Sequence, residues 1–191
     1  MEELIAEIRN CTHCLPHLVD GVNPVLAADK ESRIAIIGQA PGKKVHLSGV
    51  PWEDKSGDRL REWLHLSDDE FYDTTKLSIV PMGFCYPGKG ISGDLPPRPE
   101  CAPLWHGLVL KKLPNLELIL LIGAYAQKYY LGKNCKRTLT ETVKSYREYL
   151  PRFLPLPHPS PRNNIWLKKN DWFMLELIPE LRQVVHRILK E

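Results

Sequence analysis

The stretch LPHPSPRNN, residues 156–164, sets a histidine, a serine and an arginine among three prolines, directly after the apolar run RFLPL. Proline fixes the backbone angle, so such a loop is stiff before it packs on anything. A stiff loop can hold an imidazole where a proton or a developing charge has to be met. His158 is the candidate, set against the plainer reading of a loop histidine bonded to a carbonyl. Ser160 offers a hydroxyl and a backbone N–H to a phosphate, and Arg162 is a natural phosphate or base contact. Lys168 and Lys169 follow close behind; taken alone, they are a solvated face.

Other reactive groups lie upstream. GQAPG, residues 38–42, lacks both GxGxxG and GxxxxGK[ST]. A tight turn built on Gly38, Pro41 and Gly42 is its simpler account. Trp52, beside Pro51 in a glycine-flanked loop, is suited either to stacking on a flat ligand or to plugging the sheet edge. Glu53, Asp54 and Asp58 are carboxylates nearby, the last in a place where the helix dipole favours a negative charge. Cys11 and Cys14 have the spacing at which two thiolates face one metal, a spacing shared with redox dithiols. Cys85 and Cys101 stand in a loop loaded with glycine and proline, which buries little apolar surface and would gain from a metal staple. Cys135 stands apart.

The elements that must position these groups follow from periodicity. Residues 34–37 (IAII), KLSIVPMGF, LELILLIG and RFLPL are apolar runs of strand length, the kind buried on both faces. Between them lie helical patterns: SGDRLREWLHL, opened by Ser56 or Asp58, the helix entered through Gly123, and a long closing helix over NDWFMLELIPELRQVVHRILKE capped by Asp171. An amphipathic N-terminal helix carries Leu4, Ile5 and Ile8 on one face. Strands alternating with helices predict a three-layer α/β/α fold around a central, mostly parallel four-stranded sheet. GQAPG, GFCYPG, GAYAQ and HPSPRN then all fall at the carboxyl ends of strands, where such sheets bind ligands.

Composition bounds the rest. The 191 residues, 43% hydrophobic and 26% charged, fit one globular domain over 1–191. No apolar run approaches the ~20 residues of a membrane span, and the N-terminus lacks the order of a signal peptide. The expectation is a cytoplasmic monomer with no membrane partner. A net charge of +3 is compatible with nucleic acid without demonstrating it.

On GQAPG, HPSPRN and the pattern Cys11-x2-Cys14, Cys85, Cys101, the chain resembles the uracil-DNA glycosylase superfamily over most of its length. The cysteines are similar to those of the iron–sulfur family 4, while GVPWED followed by LREWL, and HPSPRN itself, look more like the single-strand-selective branch. The resemblance implies a DNA-repair enzyme that flips a damaged base out of single- or double-stranded DNA and hydrolyses its N-glycosidic bond. It implies a [4Fe–4S] cluster on Cys11, Cys14, Cys85 and Cys101, with zinc the alternative for four cysteines. His158 would donate a hydrogen bond to the leaving base, Trp52 would stack on it, and Gly38, Ala40, Met82 and Gly83 would line its pocket. Ser160, Arg162, Asn163 and Lys168 would meet the DNA.

Two departures qualify that expectation. Where the family's most active branch has an aspartate this chain has Ala40, and where family 4 has a glutamate it has Gln39. Gln39, Glu53 and Asp54 remain to orient the water, so modest activity is expected. The asparagine that reads uracil is absent after the second strand, where Pro81, Met82 and Gly83 stand; xanthine, hypoxanthine or another damaged base becomes admissible. The alternatives are a catalytically weak or inactive nucleic-acid-binding relative and a nucleoside or nucleotide hydrolase.

Overall fold

Four strands form the centre of the computed structural model, which describes residues 1–190. They are β1 (Ile34–Ile37), β2 (Leu77–Ile79), β3 (Leu118–Ile122) and β4 (Phe153–Leu156). Every residue of the first three is buried, as expected of strands covered on both faces. All pairs are parallel and the order is β2-β1-β3-β4. Ile36 lies opposite Ile79 on one side and Leu120 on the other, and Ile122 lies opposite Leu156. The sheet ends in register, so the loops that follow its strands open on one edge.

Side chains alternate across the sheet with the period of two that strands impose. Ile34, Ile36, Leu118, Leu120 and Ile122 enter one core, with Trp63, Phe173, Leu181 and Val185. Ala35, Ile37, Ile119 and Leu121 enter the other, with Leu4, Ile8, Trp105 and Val109. The first core lies under α3 (Lys55–Leu64), α7 (Leu139–Lys144) and α9 (Ile178–Lys190). The second lies under α1 (Glu2–Arg9), α5 (Cys101–Lys111) and α6 (Ala124–Leu131). The three layers are those expected. Shorter helices α2 (Lys43–Ser48), α4 (Asp68–Tyr72) and α8 (Asn164–Lys169) complete the loops. No helix is long and apolar enough to cross a membrane, among the described residues.

One helix start and the course of another helix differ from expectation. The cap of α3 is Asp54, whose carboxylate accepts the N–H groups of Ser56 and Gly57, both at 2.9 Å. Ser56 and Asp58 lie inside the helix. Asp54 has the extended backbone a cap requires, and the preceding Trp52 turns the chain with φ +60°. The closing helix is also not uniform. Asp171 accepts the N–H of Trp172 at 2.8 Å, but a π-helical turn, Phe173–Leu177, intervenes before α9. Glu191, the last residue of the expected helix, lies outside the described residues.

Candidate active site

The strand ends surround a cleft of about 450 Å³. Gly38 to Gly42 reach it from β1, Pro81 from β2, and His158, Ser160, Arg162 and Asn163 from β4. His158 is fixed from several directions. Its Nδ1 accepts the N–H of Ser160 at 3.2 Å, so the neutral ring carries its proton on Nε2. Its carbonyl accepts from the Asn163 amide at 2.7 Å, and the Ser160 carbonyl accepts from Arg59 at 3.3 Å. Gly123, with φ +83°, lets the end of β3 pass beside the His158 Cβ. Below it, buried Gln127 donates to the Leu156 carbonyl at 2.9 Å and to the Leu121 carbonyl at 3.3 Å, tying the ends of β3 and β4 together. Burial pushes the His158 pKa down, against smaller upward pulls from Asp54 and Asp94. The ring is neutral at pH 7 and keeps an N–H for the cleft.

Trp52 is the flat wall. Its ring centroid lies 5.6 Å from that of His158, tilted by 33°. The left-handed backbone at Trp52 is costly for a bulky residue and persists because its surroundings leave little alternative. An added Cβ on Gly38 would come within 2.8 Å of the indole, and one on Gly57 within 2.7 Å of the Trp52 carbonyl carbon. Two glycines, one on each side, make room for one aromatic.

Of the residues expected to orient water, the cleft collects Gln39 and Asp54 but not Glu53. Glu53 follows the left-handed turn and is exposed on the far side, beside Lys44 and Lys55. Gln39 donates to the Leu95 carbonyl at 3.4 Å. Of the expected base contacts, Gly38, Ala40 and Trp52 line the cleft. Met82 does not: it is 6% exposed in the second core. Gly83 packs on Pro97 and belongs to the cysteine cavity. Both lie past the point where the chain after β2 leaves the cleft; Pro81 is the residue that faces it. Lys168 and Lys169 are exposed on α8 and line no part of the cleft.

Arg162 is exposed, as a DNA contact should be, yet its Nη1 donates to the Ser92 carbonyl at 2.8 Å. That bond brings Ser92, Gly93 and Asp94 into the wall. Asp94 was not expected; its only cue in the sequence is a carboxylate within a Gly/Pro-rich loop. His106 was also missed. Its Nε2 bonds the Pro81 carbonyl at 3.0 Å and its Nδ1 the Tyr130 hydroxyl at 2.6 Å, so it braces the cleft wall from behind. Burial lowers its pKa to about 4.

Cys11, Cys14, Cys85 and Cys101 line a second cavity, with Val22, Phe84 and Trp105 as apolar walls. The Phe84 N–H donates to Cys101 Sγ at 3.4 Å. Burial raises the thiol pKa of Cys85 to about 11 and of Cys101 to about 12, and raises that of Cys14 too, where Glu100 adds to the effect. Among the described residues, no three His, Cys, Asp or Glu side chains converge closely enough to hold a metal ion. The four thiols share a space without meeting at a point. Cys135 lies elsewhere, beside Thr142.

Comparison with known proteins agrees with the fold. The family model described as the uracil DNA glycosylase superfamily matches residues 26–182. A type-4 uracil-DNA glycosylase of Thermotoga maritima is 27% identical over 165 residues, covering 84% of this chain and 81% of that protein.

Proposed function

The chain belongs to the uracil-DNA glycosylase superfamily, and from that premise we propose that it excises uracil or another deaminated base from DNA by hydrolysing the N-glycosidic bond. The observation that carries the reading is His158: a neutral imidazole with Nε2–H free for the cleft, 5.6 Å from a tryptophan ring. A flipped base slides against Trp52, and the unstacking costs a few kcal/mol. As the glycosidic bond lengthens, negative charge collects on the base and positive charge on the sugar. The Nε2–H donor is already aimed and need not reorganise, which is what makes such donors effective. Ser160 and Arg162 sit at the rim, where the DNA backbone passes.

Specificity rests on shape more than on an amide. No asparagine from the β2 end faces the cleft; Val25, Val45, Ile79 and Pro81 do. The Gly38 and Gln39 carbonyls are already used by the N–H groups of Met82 and Gly83. A wall without a base-reading amide from β2 gives up the strong discrimination such a contact supplies, so we read the pocket as open to deaminated bases besides uracil.

The cysteine cavity suits a [4Fe–4S] cluster better than a single zinc ion. Four thiols around a common space, with apolar walls and a main-chain donor to one sulfur, match a multi-atom group. Held by Cys11, Cys14, Cys85 and Cys101, the cluster would supply a covalent staple between the N-terminal segment and the 85–101 loop. We read the protein as one domain over 1–191, monomeric and cytoplasmic.

The test is cleavage of oligonucleotides carrying one uracil, xanthine or hypoxanthine, alone and in duplex, followed by alkali. Product from the native protein that vanishes in His158→Ala is expected. Salt-dependent oligonucleotide binding without any abasic product would overturn the reading in favour of a non-catalytic relative.

A further inference from the structure

The water that completes the hydrolysis finds no carboxylate in the GQAPG loop, where Gln39 and Ala40 stand. We propose that Asp94, from the loop between Cys85 and Cys101, orients that water and accepts its proton; the proposal rests on the glycosylase reading above.

Asp94 lines the same cleft as His158 and Trp52. Its Oδ2 comes within 3.7 Å of the position a Gly42 side chain would occupy, and Asp54 Oδ2 within 4.0 Å of the same position. Two carboxylates therefore reach toward one place with their Oδ2 atoms, but they are not held alike: one is fixed by two short bonds and the other by a single long one. Asp54 Oδ1 is committed to the first turn of α3. Asp94 Oδ1 receives a long 3.4 Å bond from the Tyr86 hydroxyl, leaving Oδ2 for the cleft. Both are close enough to act on His158 through their charge.

The loop that carries Asp94 is held in place. Gly90 N–H bonds the Gly93 carbonyl at 2.6 Å, and Leu95 N–H the Gly88 carbonyl at 2.9 Å. Arg162 then ties Ser92 to the loop of His158. Gly93, at φ +153°, is where a side chain would collide with that guanidinium. Gln39 completes the frame through the Leu95 carbonyl. The proton acceptor is thus registered against the hydrogen-bond donor by one arginine. The charges suit the reaction: carboxylates where the sugar becomes cationic, a neutral N–H where the base becomes anionic.

In the step itself, the water oxygen bonds to C1′ as the C1′–N bond breaks, and its electron pair leaves on the base. The proton lost by the water passes to the Asp94 carboxylate and then to solvent, from which the departing base is protonated. His158 keeps its own proton.

The experiment is single-turnover cleavage of a single-stranded uracil oligonucleotide by the full-length protein as purified, beside Asp94→Asn, Asp54→Asn, Arg162→Ala and the Asp94→Asn/Arg162→Ala double variant. Asp94→Asn is nearly isosteric, and thermal denaturation confirms that it folds. It is expected to cut about 100-fold more slowly, while binding an uncleavable 2′-fluoroarabino-uracil oligonucleotide within about twofold of the native protein. In the Arg162→Ala background the same substitution should matter much less. An active native protein matched by Asp94→Asn, or a full loss in Asp54→Asn alone, overturns the assignment. The same comparison is made on xanthine and hypoxanthine oligonucleotides if uracil is not cut, and a native protein that cleaves none of the three sinks the glycosylase reading itself.

Discussion

Replacing Gly57 by alanine is a severe test of how the cleft is built. Gly57 lies inside α3, where alanine by itself should be better by about 1 kcal/mol. The structure reverses that sign. The new methyl group would meet the Trp52 carbonyl carbon at 2.7 Å and its Cβ at 2.9 Å, with the carbonyl oxygen closer still. The obstacle is main chain in a left-handed turn, so no rotamer change relieves it. Overpacking of this kind costs about 1–3 kcal/mol; with an immovable main-chain obstacle the cost lies at about 3 kcal/mol, and against the gain of about 1 kcal/mol in propensity a net loss of about 2 kcal/mol follows. For a chain of this size the melting temperature should fall by about 4–8 °C. The larger effect is on rate: moving Trp52 by about 1 Å should slow excision about 100-fold. Gly107, in α5 with open space around it, is the control, since Gly107→Ala should stabilise by a few tenths to about 1 kcal/mol. Circular dichroism melts and single-turnover cleavage read both variants. If Gly57→Ala were as stable and as fast as the native protein, the clamp on Trp52 would be refuted.

Three further outcomes are expected. Nitrogen NMR of the imidazoles at pH 7 should show His158 neutral with its proton on Nε2, charging only below the ordinary histidine range; titration above pH 6.5 would contradict the geometry. His106, whose pKa falls from 6.5 to about 4 on folding, binds its proton more readily when unfolded. Stability should therefore be complete above pH 6.5 and decline by up to about 3 kcal/mol as the pH falls through 4; that part of the acid limb should be missing from denaturation curves of His106→Leu. Protein purified without oxygen should carry iron, acid-labile sulfide and a brown chromophore, all reduced in Cys101→Ser, whereas zinc in their place would argue against the cluster.

The strands were legible because burial on both faces writes itself as unbroken apolar runs: Ile34–Ile37 and Leu118–Ile122 need no further signal. His158 was legible because its prolines are local. What escaped was decided by backbone turns and long-range contacts. Glu53 and Asp54 are neighbours in the chain, and only the left-handed turn at Trp52 sends one outward and makes the other a cap. Met82 lies three residues past β2 and looks like a pocket residue by position, yet it fills the second core. Asp94 has no pattern of its own; an arginine nearly seventy residues away draws its loop into the wall.

The strand order also bears on how the protein is made. In β2-β1-β3-β4 the latest in the chain of the four described strands is an edge strand that pairs with β3, and it delivers His158. β1, β2, β3, Trp52 and the four cysteines all precede it in the chain. On the role proposed for His158, the cleft gains its donor only when β4 docks, and Gln127 bonds the Leu156 carbonyl two residues before that histidine. Parallel pairings between distant segments form slowly, so on that proposal a chain truncated before β4 is expected to cut no DNA.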